Sequence, residues 1–314
     1  MAEWGVCATV KAPTDQVLAF VAHHLGLGAS HLWIFLDDPD DPAFDAVAGL
    51  SGVTATRCDD AYWQAVCKTR PEAHQNRQCR NMRRVYNLAA LPFVAHLDVD
   101  EFLQPVRPIS GILDSIPKDR IILRMAPWEA LHDAAQPYDI FTATQFRAAL
   151  KGPELSATRM LAFGQNADLL PEGVLSHAAG KCFFQRGFAG LQPRLHGGFL
   201  NDVRVQGGDF HPEIAVLHCH AEDPKRWLRN LQFRLTLGAY KFNPALQEYL
   251  TLADDAKVDA FYQAVQNPDD AVRQGLADQG FLMTVRLGLK DKVSDLPDRH
   301  AGDDRNDDAR TPDA

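Results

Sequence analysis

Three carboxylates stand together at the end of an apolar run. Phe93-Val94-Ala95-His96-Leu97 leads directly into Asp98-Val99-Asp100-Glu101. Oxygen ligands at that density suit Mg²⁺ or Mn²⁺, ions often held partly through substrate phosphates. Such an ion would neutralise a diphosphate leaving group as its charge develops. If the chain stays extended, Asp98 and Asp100 share one side, because side chains alternate along a strand. The plainer alternative is that Asp98 and Asp100 cap the next turn while Glu101 faces solvent. The apolar density around the motif favours a site, because several carboxylates buried without a cation are costly.

Such a cluster needs a frame to present it. Val6 to Val10 reads as a first strand, and Pro13-Thr14-Asp15 as the start of a helix carrying Val17, Phe20, Val21, His24 and Leu25. Leu32 to Leu36 is a continuous apolar run, as in a parallel strand covered on both faces. Val53 to Arg57 and Phe93 to Leu97 read as further strands, with a long helix from Pro71 to about Leu88 between them. Ile109 to Ile116 suggests a short helix, and Arg120 to Met125 another strand. This alternation predicts an α/β fold with a mostly parallel central sheet flanked by helices. Ligands of open parallel sheets bind beyond the carboxyl ends of the strands, where Asp98 falls. Further strands are predicted at Met160 to Phe163, Gly180 to Gln185 and Ala215 to His220. Helices follow at Asp223 to Leu237, Lys257 to Val265 and Ala271 to Ala277, so the C-terminal region is helical.

The chain has 314 residues, 46% hydrophobic and 23% charged, an ordinary globular composition. Its formal charge of −9 argues against bulk nucleic-acid binding, which needs a positive footprint. The opening residues lack the basic and apolar regions of a signal peptide, and no apolar run is long enough to span a bilayer. A cytoplasmic protein is expected, with the inner membrane face open to it as a peripheral site. The six cysteines form no CxxC pair and read as reduced thiols. GxGxxG is missing between the first strand and helix, and neither GxxxxGK[ST] nor GxSxG occurs. Dinucleotide-dependent, phosphate-loop and serine-esterase chemistry are disfavoured accordingly.

Asp98-Val99-Asp100-Glu101-Phe102 resembles the Asp-X-Asp region of glycosyltransferases with the GT-A fold. The longer string His96 to Leu103 is similar to a family-2-like group that uses an Asp-Val-Asp-Glu-Phe form. Three further pieces agree in order. Val10-Lys11 with Phe20 to Gly28 resembles that group's opening helix and turn. His31 to Asp38 looks like its second strand and nucleotide-binding acidic pair. Gly180-Lys181 and Leu217-His218-Cys219-His220 resemble its C-terminal Lys and His landmarks. The resemblance covers roughly residues 5 to 240. The sequence departs from it at Lys11-Ala12-Pro13, where that group has Lys-Asn-Glu, and at Asp38-Pro39-Asp40-Asp41, where it carries Asn and Ser.

This resemblance implies a GT-A-like catalytic domain over residues 1–240, followed by a helical extension over 241–289. Residues 290–314 are polar and read as a disordered tail. It implies a donor substrate that is a nucleotide-diphosphate sugar, an acceptor hydroxyl on carbohydrate, lipid or protein, and assistance by Mn²⁺ or Mg²⁺. Asp98 and Asp100 would hold the ion, with His218 or His220 completing its shell; both histidines face one way if the segment is a strand. Asp37 or Asp38 would bind base or ribose, or else cap a helix. Lys11 would face the same crevice, or solvent. Arg77, Arg80 and Arg84 line one helical face and could reach the diphosphate, with Arg80 and Arg84 the foremost candidates; the alternative is surface ion pairs. Lys181 would contact phosphate or donor sugar, or protect a sheet edge. His196 and His211 could line the acceptor site. Asp209 is the leading general base for an inverting transfer, ahead of Asp202, Glu222 and Asp223, with Asp100 catalytic through the ion. A metal-dependent phosphatase or nucleotidyltransferase, and a sugar-nucleotide-binding protein without turnover, are the competing classes.

Overall fold

The computed structural model describes residues 1–133 and 138–296. Strands β1 (Trp4–Val10), β2 (His31–Leu36), β3 (Val53–Arg57) and β4 (Phe93–His96) pair in parallel in the order β3-β2-β1-β4. β5 (Glu101–Pro105) follows the acidic motif, then β6 (Ile122–Ala130), β7 (Gln145–Ala148) and β8 (Lys181–Gln185). β9 (Leu191–Arg194), β10 (Gly197–Leu200) and β11 (Val203–Val205) form a separate antiparallel sheet. β12 (Phe210–His218) and β13 (Leu282–Thr284) complete the set. From β4 the main sheet continues β8-β6-β7-β13 through antiparallel pairs, and β12 lies parallel to β6 and antiparallel to β5.

The expected architecture is the one found: α/β, with helices flanking a central sheet. Its N-terminal half is parallel, and the antiparallel pairs enter with β8. Alternation along β1 decides which residues meet which helix. Val6, Ala8 and Val10 join Val17, Phe20 and Val21 of the helix Thr14–Gly26. Cys7 points the other way, toward Met82, Val85 and Tyr86 of the helix His74–Leu88. Both faces are covered, which is why β1 and β2 read as unbroken apolar runs.

The C-terminal helices gather around Trp227, Tyr240, Phe261 and Tyr262. Asp223, Asn243, Asp254 and Asp269 each accept a backbone N–H at a helix start, capping groups that would otherwise lack a partner. No helix of the described residues is long and apolar enough to cross a membrane.

Several expectations are corrected. Met160 to Phe163 belongs to a helix, Ser156–Phe163, whose Thr158, Ala162 and Phe163 turn inward at helical spacing; four apolar residues are too few to tell the two periods apart. The helix expected from Asp223 to Leu237 breaks at Asn230 into Pro224–Arg229 and Leu231–Thr236. The polar tail begins with a helix, Leu289–Ser294, because Leu289 is buried and Val293 packs beside it; residues 297–314 of that tail lie outside the described residues. The strand of Asp98 does not run on through the motif. Residues 98–100 form a turn closed by the Glu101 N–H donating to the Asp98 carbonyl (3.0 Å), and Glu101 opens β5.

Phe102 anchors that turn to the core. It is fully buried between Phe20, His23, His24 and Phe141. Phe102→Ala is expected to cost about 3–5 kcal/mol, measured by chemical denaturation. A loss below about 1 kcal/mol would mean the turn is held by something else.

Candidate active site

The strand registers bring the site together. β4 pairs with β8 so that His96 lies opposite Cys182, which places Lys181 beside the acidic turn. β12 pairs with β5 so that His218 lies opposite Glu101, and the Cys219 N–H donates to the Asp100 carbonyl (2.8 Å). Gly180 precedes Lys181 at φ +68°, and a Cβ there would overlap the Met125 carbonyl oxygen. Only glycine satisfies both demands, so the entry of Lys181 is fixed by its neighbour.

Lys181 is the centre of the arrangement. Its side chain is 1% exposed, and its ammonium donates to Asp98 Oδ2 at 2.6 Å and lies 3.0 Å from Glu101 Oε2. The Gln78 amide donates to Asp98 Oδ1 (2.5 Å), and the Asp98 N–H donates to Glu101 Oε2 (2.8 Å). Burial alone would discharge Lys181, but Asp98 and Glu101 outweigh it and hold the ammonium charged. Burial opposes ionisation of Asp98 as well, and Lys181 overcomes it, keeping that carboxyl well below the usual range. Glu101 is pushed up to about 7 by burial, against the pull of Lys181.

Asp100 faces a different partner. Its Oδ2 lies 3.7 Å from His218 Nε2. The other ring nitrogen, Nδ1, is 3.3 Å from Ser176 Oγ, whose hydroxyl donates to Glu129 (2.5 Å). Glu129 is buried on β6 and also accepts the N–H groups of Leu175 and Ser176, clamping that loop against the strand. With its hydroxyl proton spent on Glu129, Ser176 accepts from His218 Nδ1–H, and Nε2 is left toward Asp100. Burial lowers the affinity of His218 for a proton, yet Asp100 overrides this and raises it to about 9.

These groups form the floor of a cleft of about 1110 Å³. Asp98, Asp100, Lys181, His218 and His220 all line it, so the structure brings together five of the expected site residues. His196 lines it too, as expected for an acceptor-side residue. Cys219 turns into the core, while His220 sits 5.1 Å ring to ring from His218 with Nε2 on the Tyr240 hydroxyl (3.2 Å).

Other expected residues lie elsewhere. Asp209 is exposed just before β12, at the opposite end of that strand from His218. Its glycine-rich setting belongs to the turn entering the strand, not to the cleft. His211 shares that end, beside Glu213. Arg80 and Arg84 are exposed, because the inward stripe of their helix is Gln78, Asn81, Met82 and Val85. Arg77 is the arginine used: it forks onto Asp37 through Nε (2.6 Å) and Nη2 (2.7 Å), and Arg70 adds a third contact. Burial would raise the Asp37 carboxyl, and the two arginines hold it below its usual range. Lys11 pairs with Asp38 at 3.4 Å, both largely solvated and outside the cleft lining. Glu222 is buried against Arg226, Asp223 caps a helix and Asp202 occupies an exposed turn.

Sequence reasoning missed Gln78, Glu129, Ser176 and His177. Gln78 carried a signal, since it is a polar residue on the same helical stripe as Met82 and Val85. Glu172 also lines the cleft, holding Lys151 (2.6 Å) and the Ala178 N–H (3.3 Å).

No protein-family model matches the sequence, and no curated protein matches it. Similar solved structures include S. aureus TarS 1-349, at 8% identity and a TM-score of 0.34, over 88% of this chain and 72% of that one. HddC from Yersinia pseudotuberculosis is similar at 8% identity and a TM-score of 0.30, over 69% of this chain and 77% of that one. The mannosyltransferase Ktr4p from S. cerevisiae is similar at 12% identity and a TM-score of 0.26, over 43% of this chain and 41% of that one.

The cleft's imidazoles give it an acid-sensitive wall. His177 packs edge-on against His196 at 4.1 Å, and its Nδ1 is buried with no hydrogen-bond partner among the described residues. Burial, with His196 and Lys181 nearby, depresses His177 to about 2. Below its ordinary value of about 6.5 the unfolded chain therefore binds a proton that the folded chain refuses, so stability is full above that pH and falls on acidification. His177→Leu is expected to shrink the stability loss between pH 8 and pH 5 by about 1–2 kcal/mol, measured by urea denaturation at each pH. An unchanged loss would contradict the burial of a neutral imidazole there.

Proposed function

We propose that this chain is a glycosyltransferase that moves a sugar from a nucleotide-diphosphate sugar to an acceptor hydroxyl. The observation that carries the reading is the acidic turn at the carboxyl end of β4, opening into the cleft with one ammonium and one imidazole beside it. The Asp-Val-Asp-Glu-Phe resemblance names the same turn, and its Lys and His landmarks resemble Gly180-Lys181 and Leu217-His218-Cys219-His220.

A divalent cation would be held by Asp100, and by His218 once the ion displaces the proton that Asp100 keeps on that ring, rather than by Asp98 or His220. Both oxygens of Asp98 are engaged by Gln78 and Lys181, and His220 Nε2 is on Tyr240. The 3.7 Å gap between Asp100 and His218 is long for a hydrogen bond. It exceeds the roughly 3 Å between neighbouring ligands of one octahedral ion, so the two side chains would close by several tenths of an ångström to share one. The described residues offer no group of three or more ligands for a metal, so donor phosphates and water would complete the shell, as is usual for Mg²⁺ and Mn²⁺. When bound, the ion would supply charge neutralisation at the diphosphate.

The protein's own groups carry the rest. Asp98 is spent on locking Lys181, and Lys181 on neutralising the floor, so a diphosphate meets Asp100 without two further uncompensated carboxylates behind it. Ser176 and Glu129 orient the His218 ring. Glu172, the cleft carboxylate outside the acidic turn, would take the acceptor's proton in place of Asp209 once Lys151 is displaced from it.

A thermal-shift screen of nucleotide-diphosphate sugars, each with Mn²⁺ and with EDTA, tests the reading. At a hundredfold excess over its Kd the correct donor is expected to add about 2.7 kcal/mol, lost in EDTA and in Asp100→Ala. Incubation with acceptors should then yield transferred sugar, with Glu172→Gln slowing turnover but keeping the donor shift. Failure of every donor to stabilise the protein, or phosphate release without sugar transfer, would overturn it.

A further inference from the structure

The cleft's mouth differs from its floor. Between Pro224 and Gln247 the chain has no acidic residue and five basic ones, Lys225, Arg226, Arg229, Arg234 and Lys241, in a protein of net charge −9. Arg226 and Arg234 are used inside, on Glu222 and on the His220 carbonyl. Lys225, Arg229 and Lys241 are exposed and form no ion pair among the described residues. Large apolar side chains of the same segment are exposed as well. Phe242 is 75% exposed, Leu237 59% and Phe233 47%. Phe233 and Phe242 both line the mouth of the cleft, with Lys241 between them in sequence, its ammonium 4.9 Å from the Phe242 ring. Leu237 follows Phe233 by one helical turn, its N–H donating to the Phe233 carbonyl.

Exposed phenylalanine and leucine interleaved with unpaired cations match a bilayer interface, where rings enter the headgroup boundary and cations meet anionic lipid. A partner of neutral surface would leave the cations without counter-charges, and one carrying only acidic groups would leave the rings in water. We propose that residues 225–242 dock the mouth of the cleft on an anionic lipid surface. The docking stands apart from the sugar-transfer reading. Only its consequence, that the acceptor hydroxyl is presented from the membrane, rests on that reading.

Co-sedimentation of the full chain with vesicles tests it, using phosphatidylcholine alone and an equal mixture with phosphatidylglycerol. Each surface cation is worth roughly fivefold in partition. The wild type is expected to sediment with the mixed vesicles, at least tenfold more strongly than with phosphatidylcholine, and to be released by molar salt. Lys225→Glu/Arg229→Glu/Lys241→Glu should lose that binding while keeping the wild-type melting temperature. Phe233→Ser/Phe242→Ser should weaken it at least tenfold. No binding to mixed vesicles, equal binding to both kinds, or undiminished binding by the charge-reversed variant would each overturn the proposal. Donor-induced stabilisation, measured without vesicles, reports separately on the sugar-transfer reading.

Discussion

A buried ammonium needs anionic partners, and the site is organised around that need. Lys181 lies in the protein interior at the start of β8, where an unpaired charge would be prohibitive. Asp98 and Glu101 are its partners, Asp98 in the turn after β4 and Glu101 at the start of β5. Meeting the lysine therefore fixes the turn, and fixing the turn sends Asp100 the other way, toward His218. The main sheet's registers, the glycine before Lys181 and the buried Phe102 all act on this one geometry.

Two consequences shape the cleft. Two carboxylates of the motif, Asp98 and Glu101, are spent on Lys181, and the third, Asp100 between them, is turned toward the cleft. The floor is also rich in imidazoles of opposite character. His218 is held protonated by Asp100, whereas His177, His196 and His220 are kept neutral by burial. A polar floor beneath an apolar, basic mouth suits a ligand with a charged end and a chemically different one.

Much of the frame was legible because its elements are long and strongly patterned. β1, β2 and the helix between them read directly from apolar runs and periodicity, and Asp98 was placed at a strand end for the same reason. What failed depended on contacts far apart in sequence. Nothing in Asp98-Val99-Asp100 says that the strand stops, because the stop is set by Lys181, 83 residues away. Arg77, Arg80 and Arg84 recur at spacings of three and four, so spacing does not say which arginine is used; Gln78 and Asn81 fix the inward face through contacts with Asp98, in the turn after β4, and Thr9, on β1. Asp209 lies at the far end of β12 from the cleft, because Gly207 and Gly208 serve the turn that enters the strand. Glu129 and Ser176 matter only through the fold that joins β6, β12 and the loop between β7 and β8.

The most direct measurement is a double-mutant cycle between Lys181 and Asp98, read by chemical denaturation. Lys181→Met alone should cost about 3–5 kcal/mol, since it leaves buried carboxylates uncompensated. Adding Asp98→Asn should restore part of that loss, giving a coupling of about 1–3 kcal/mol. Additivity of the two substitutions within about 0.5 kcal/mol would contradict the central role given to the buried ammonium.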